Sequence, residues 1–200
     1  MFQKLLIAFL FICPFSYAQS NFTSYIPRGD KMDTLTRGDL NKDGIDDVVM
    51  VTSAKKNDHQ TATPKTLMIF FGKPNGTYEL NTQSTSVLAG QNEYAYCWFE
   101  GVSIKNGVLT IEHEYLRGGC KHLFRYQHGG FYLIGASTAT GDAGSFLSVE
   151  YNLSTGKWVG RHEFDETNEK INRTGTKKMG TLPRIETYKL FTVEVDGQLL

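Results

Sequence analysis

Short Gly-centred turns recur along this chain between runs of alternating apolar and polar residues, and no other feature restricts its fold as tightly. In "IKNGVLTIE", Asn106-Gly107 separates two such runs. A two-residue hairpin turn of this kind needs positive φ at both positions, which Asn and Gly accept and most residues resist. "RYQHGGFYLIG" repeats the design at His128-Gly129-Gly130, "FFGKPNGTYEL" at Pro74-Asn75-Gly76 and "YNLSTGKWVG" at Ser154-Thr155-Gly156. Turns this short join antiparallel neighbours, so the pattern implies an all-β fold of antiparallel hairpins. Period-2 runs rich in β-branched and aromatic residues place strands near 47–52, 66–71, 77–80, 94–104, 108–115, 122–127, 131–136, 145–151, 157–163 and 187–194. Two polar stretches, 54–64 and 165–183, read as a loop and as a loop or linker.

The first 20 residues, "MFQKLLIAFLFICPFSYAQS", carry Lys4, an apolar run from Leu5 to Ile12 and the small-x-small site Ser16-Tyr17-Ala18. This is the layout of a secretory signal peptide over 1–18. The run is far shorter than the roughly 20 residues of a spanning helix. Ile12 stands before Cys13 where a lipoprotein signal would place a small residue. The expected product is a soluble periplasmic or secreted chain, a single β domain over 19–200, with no membrane span. The 21 basic and 21 acidic residues of the full chain are not arranged in blocks. A phosphate-backbone partner calls for a basic excess or stripe, so nucleic acid is discounted. Removing Cys13 leaves Cys97 and Cys120. In an oxidising compartment a pair is most simply a disulfide, worth about 3.5 kcal/mol for a loop of this length. Two buried free thiols are the competing reading.

In "GDLNKDGIDDVVMV", oxygen donors fall at alternate positions: Asp39, Asn41 and Asp43, then the backbone carbonyl of Ile45, then Asp47. Alternate residues of a tightly curled loop can all turn oxygens inward, as a Ca²⁺ ion with six to eight oxygen ligands requires. Gly44 supplies the sharp turn, and so many carboxylates in one curl repel one another without a cation. An EF-hand would put a bidentate Glu at the twelfth loop position and helices on both sides. Here that position is Met50, in a run that reads as a strand. The loop instead resembles that of the FG-GAP or VCBS repeat, in which D-x-[DN]-x-D-G-x-x-D leads directly into a strand. "TLMIFFGKPNGTYEL" is similar to the hairpin that follows it, so the resemblance covers roughly residues 35–80. It implies Ca²⁺ held by Asp39, Asn41, Asp43 and Asp47 side chains and the Ile45 carbonyl. With one clear copy, it also implies one blade-like unit continuing into a β-sandwich or partial-propeller-like sheet, through hairpins over 94–163 and a final strand near 187–195.

Other signals carry less. "RGD" occurs at 28–30 and 37–39, but Asp39 of the second is already assigned to the loop, and tripeptides recur by chance. "EHEY" lacks the second His of a zinc-protease helix, because Arg117 stands there. Alternation sends His113 to the face opposite Glu112 and Glu114, and the histidines are expected at the surface or rim. Tyr94, Tyr96 and Trp98 share one strand face, with Cys97 and Phe99 on the other. The functional expectation is a non-catalytic, calcium-binding recognition module with a protein partner. A periplasmic immunity or inhibitor protein that blocks an effector enzyme is one alternative. A hydrolase of envelope polymers, with a carboxylate or His site that has no sequence signature, is the other.

Overall fold

The computed structural model describes residues 22–55, 63–89 and 97–200. The predicted signal peptide, the start of the 94–104 strand with Tyr94 and Tyr96, and most of the 54–64 loop lie outside the described residues. A short 3₁₀ turn, Phe22–Tyr25, is followed by β1 (Lys31–Gly38), β2 (Asp47–Ser53), β3 (Lys65–Gly72) and β4 (Tyr78–Ser84). Seven more strands come next: β5 (Cys97–Lys105), β6 (Val108–Tyr115), β7 (Gly118–Gln127), β8 (Gly130–Gly141), β9 (Ser145–Asn152), β10 (Lys157–Phe164) and β11 (Lys170–Thr176). The short pair β12 (Glu194–Val195) and β13 (Gln198–Leu199) completes the list.

All named pairings are antiparallel and join sequence neighbours. β1–β4 form one four-stranded meander and β5–β11 a seven-stranded one. Among the described residues neither sheet closes into a barrel or a propeller. The hairpin turns are where the sequence put them: Asn106 and Gly107 take φ 54° and 72°, His128 and Gly129 take 49° and 76°.

The main core lies between the sheets. Val49, Val51, Leu67 and Ile69 meet Leu109, Ile111, Phe124 and Leu133, and the C-terminal Ile185, Tyr188 and Leu190 pack into the same cluster. The opposite face of the small sheet is covered as well, by Phe22 of the 3₁₀ turn over Val48, Met50, Met68 and Phe70. Covering both faces explains why "DVVMVTS" is buried at every position instead of alternating.

Three expectations are corrected. Residues 170–176, placed in an irregular stretch, form the edge strand β11; its side chains are exposed at all positions but Gly175, so no apolar alternation marks it. The predicted strand over 187–194 is a turn-rich segment that enters the core at Ile185, Tyr188, Leu190 and Val193, a spacing that does not alternate. The amides of Thr187 and Tyr188 both donate to the Arg184 carbonyl, which curls the chain there. Lastly, Cys97 and Cys120 are free, buried thiols and not a disulfide. Cys97 lies opposite Tyr115, and Cys120 opposite His113, so the whole of β6 separates them. Two strand spacings alone put their Cα atoms at least about 9.6 Å apart, before the two-residue offset along β6 is added, and a disulfide spans roughly 7 Å.

Candidate functional site

The acidic loop connects β1 to β2, and its side-chain oxygens curl it. Asp39 accepts from the Lys42 amide (2.6 Å) and the Gly44 amide (3.0 Å). Asn41 Oδ1 accepts from the Asp43 amide (3.0 Å), and Asp43 Oδ1 from the Ile45 amide (2.8 Å). Asn41 Nδ2 also donates to Asp43 Oδ2 (2.9 Å). Lys42 and Gly44 take φ 65° and 84°, the left-handed values the curl requires. Asp47 is fully buried beneath the loop. Its Oδ2 accepts from the amides of Leu40 (2.8 Å) and Asn41 (3.2 Å), and its Oδ1 from the amide of Gly72 (3.0 Å). Burial raises the Asp47 pKa even against these three donors, with Asp43 adding repulsion.

This loop is also a joint. A Cβ on Gly38 would stand 2.7 Å from Ile104 of β5, and one on Gly107 would stand 2.9 Å from the Lys42 side chain. A Cβ on Gly72 would collide with the Asp46 carbonyl oxygen and with the Ile45 side chain. The loop therefore packs against the β5–β6 turn on one side and the end of β3 on the other. The residues fit a hard cation: every side-chain donor is oxygen, and each exposed carboxylate keeps lone pairs beyond those used in the turns. The side chains of Asp39, Asn41, Asp43 and Asp47 and the backbone carbonyl of Ile45 are the groups that would hold Ca²⁺. Rigidifying this joint is what the ion would supply.

The seven-stranded sheet has a second, open face. Gly119, Ser137, Ala139 and Ser148 form its floor, lining a cavity of about 370 Å³. Around the floor stand the pairs Glu112–Lys121 (3.0 Å) and Glu150–Arg161 (2.7 Å). Trp98 lies toward the β5 end, its indole donating to Glu114 (3.3 Å).

On the inner face, His113, Cys120 and His122 come together. One donor atom from each lies within 4.8 Å of the other two, and all three residues are buried. This overturns the expectation of surface or rim histidines for His113 and His122, while His128 is exposed as expected: the side of β6 opposite Glu112 and Glu114 is the core side. His113 Nε2 accepts from the Ala89 amide (3.1 Å). Among the described residues, His113 Nδ1 and both ring nitrogens of His122 have no hydrogen-bond partner. Burial lowers His113 to about 4, and burial together with the neighbouring His113 lowers His122 to about 3. Burial pushes the Cys120 thiol up to about 11. The signal available in the sequence was Cys-x-His at 120–122, since i and i+2 share a strand face, but the partner across the sheet is set by register alone.

One further polar cluster is structural. Asp33, Ser53 and Lys65 are mutually hydrogen-bonded, with Lys65 Nζ 2.9 Å from Ser53 Oγ. Lys65 donates to both partners and so offers no base to Ser53. Burial raises Asp33, but the Lys65 and Ser53 hydrogen bonds outweigh it and hold the carboxyl below its ordinary value.

No protein-family model, curated protein or solved structure matches this chain.

Proposed function

We propose that this chain is an exported, non-catalytic β protein that binds Ca²⁺ at residues 39–47 and recognises another macromolecule with the open face of its large sheet. On this reading β1–β4 correspond to one FG-GAP-like blade. A simple meander entered through the acidic loop, with Gly72, Gly76 and Tyr78 at the next hairpin, supports the correspondence. The observation that carries recognition is the small-residue floor at Gly119, Ser137, Ala139 and Ser148 inside a rim of opposite charges. Such a surface admits the side chains of a polar partner and orients them by charge.

The test is co-purification from the exporting cell with the wild type and with Ser137→Arg/Ser148→Arg, which fills the floor. One stoichiometric protein partner captured by the wild type and lost by at least 100-fold in the variant is the expected result, with unchanged circular dichroism. Equal capture by both proteins, or degradation of peptidoglycan or glycans by the purified chain alone, overturns the reading. For the ion, Ca²⁺ at 100 times its dissociation constant contributes about 2.7 kcal/mol. That is roughly 5–10 °C in melting temperature for a chain of this size. Chelation is expected to lower the wild-type melting temperature by that amount and to leave Asp43→Ala unchanged; equal melting of the wild type with and without chelator counts against the site.

A further inference from the structure

We infer that His113, Cys120 and His122 form a binding site for a thiophilic cation of the Zn²⁺ class, separate from the acidic loop. The placement is that of a three-point site. Cys120 and His122 are i and i+2 on β7, so both point inward, and His113 stands directly across from Cys120 on β6. Their donor atoms lie within 4.8 Å of one another. Around a tetrahedral Zn²⁺, with Zn–N near 2.0–2.1 Å and Zn–S near 2.3 Å, such atoms stand about 3.3–3.6 Å apart. Closing the triangle thus takes a movement on the order of 1 Å, within reach of side-chain rotation.

The second observation is the unmet hydrogen bonding. His122 is fully buried, and neither of its nitrogens has a partner among the described residues. Its neighbours are the rings of Tyr188 (centroids 5.2 Å) and His113 (6.1 Å). An apolar residue of similar volume would fit this place without leaving polar atoms unpaired. An imidazole there is explained by a ligand that takes up a nitrogen lone pair. Two imidazoles and one thiolate make a borderline-soft donor set, which selects zinc or copper ions over Ca²⁺ and Mg²⁺. His113 contributes by exchange: its Nε2 now accepts the Ala89 amide, and ligation through either ring nitrogen releases that amide. With all three donors buried, the ion loads as the sheet folds.

The experiment refolds the chain from denaturant with Co²⁺ as the probe. The wild type is expected to bind one equivalent, to show a sulfur-to-cobalt charge-transfer band, and to lose it when Zn²⁺ is added. The acidic loop has only oxygen donors and cannot produce that band. Cys120→Ser abolishes the band and Cys97→Ser retains it, which separates this site from one made by the two thiols. His122→Leu weakens Co²⁺ binding by more than the roughly 100-fold typical of losing an outer-shell partner, yet melts no lower than the metal-free wild type. Exchange of the Ala89 amide speeds up on Zn²⁺ binding. Absence of the band in the refolded wild type overturns the assignment, as does its survival in Cys120→Ser or undiminished binding in His122→Leu.

Discussion

Replacing Asp47 by Ala is expected to destabilise the protein by about 3–5 kcal/mol, seen as a lower urea midpoint with an unchanged slope. Three backbone amides, those of Leu40, Asn41 and Gly72, donate to this one carboxylate. Each buried donor left without an acceptor costs about 1–3 kcal/mol. The opposing effect is relief of a buried charge, visible in the raised Asp47 pKa, and it trims the total without reversing it. Position strengthens the argument. Gly72 ends β3 and Leu40 lies in the loop, so the carboxylate ties the entry to β2 to the exit from β3. Asp47→Asn keeps one oxygen acceptor but turns an NH₂ toward a backbone donor, and about half the loss is expected. A drop below 1 kcal/mol for the alanine variant would mean that water replaces the carboxylate.

Most of the antiparallel meander was legible because hairpin turns are local. Asn106-Gly107 and His128-Gly129 adopt the positive φ pairs their chemistry demands, and the strands beside them follow. β1 and β11 were not legible. Both are edge strands: β11 is exposed almost throughout, and β1 has no fully buried residue, so pairing with a neighbour and not apolar alternation makes them strands. Asp196-Gly197 was an overlooked turn of the same kind, with φ 51° and 73°, closing the two-residue strands β12 and β13. The 184–193 segment defeated strand reading for a different reason. Its apolar residues serve as a plug for the inter-sheet core, and a plug needs no period.

Candidate sites divide along the same line. The acidic loop is contiguous, so spacing alone exposed it, although the grip of Asp47 on Gly72 spans 25 residues and was invisible. His113, Cys120 and His122 become neighbours only through the β6–β7 register. The expectation of surface or rim histidines fails for His113 and His122 because only the strand register places them in the core. The cysteine pair failed similarly, since spacing along the chain says nothing of the strand that runs between Cys97 and Cys120.

Acid is expected to destabilise the metal-free protein from pH 6.5 downward, before most of its carboxylates protonate. Burial holds His113 near 4 and His122 near 3 in the folded chain, against 6.5 when exposed. Among the described residues the groups facing them supply no negative charge: the Ala89 amide, the rings of Phe99 and Tyr188, and a Cys120 thiol pushed up to about 11. Above pH 6.5 both imidazoles are neutral in either state, and their contribution to stability is fully present. Between 6.5 and 4 the unfolded chain binds two protons that the folded chain does not, so stability falls as pH falls, by about 2.7 kcal/mol per pH unit. Below 4 the slope drops toward half that value as His113 protonates in place. Asp33 acts in another window: its lowered folded pKa means a stabilisation present above 3.8 and lost only below it. At pH 4.5 the histidine effect reaches about 5 kcal/mol, comparable with the whole stability of many domains. Urea titrations in chelator at pH 7.5, 6.5, 5.5 and 4.5 measure it. His122→Leu is expected to halve the slope between 6.5 and 4, because one of the two protons is no longer taken up. Stability that stays flat from pH 7.5 to 5 would place the imidazoles in contact with water and remove the physical basis for their depressed pKa values.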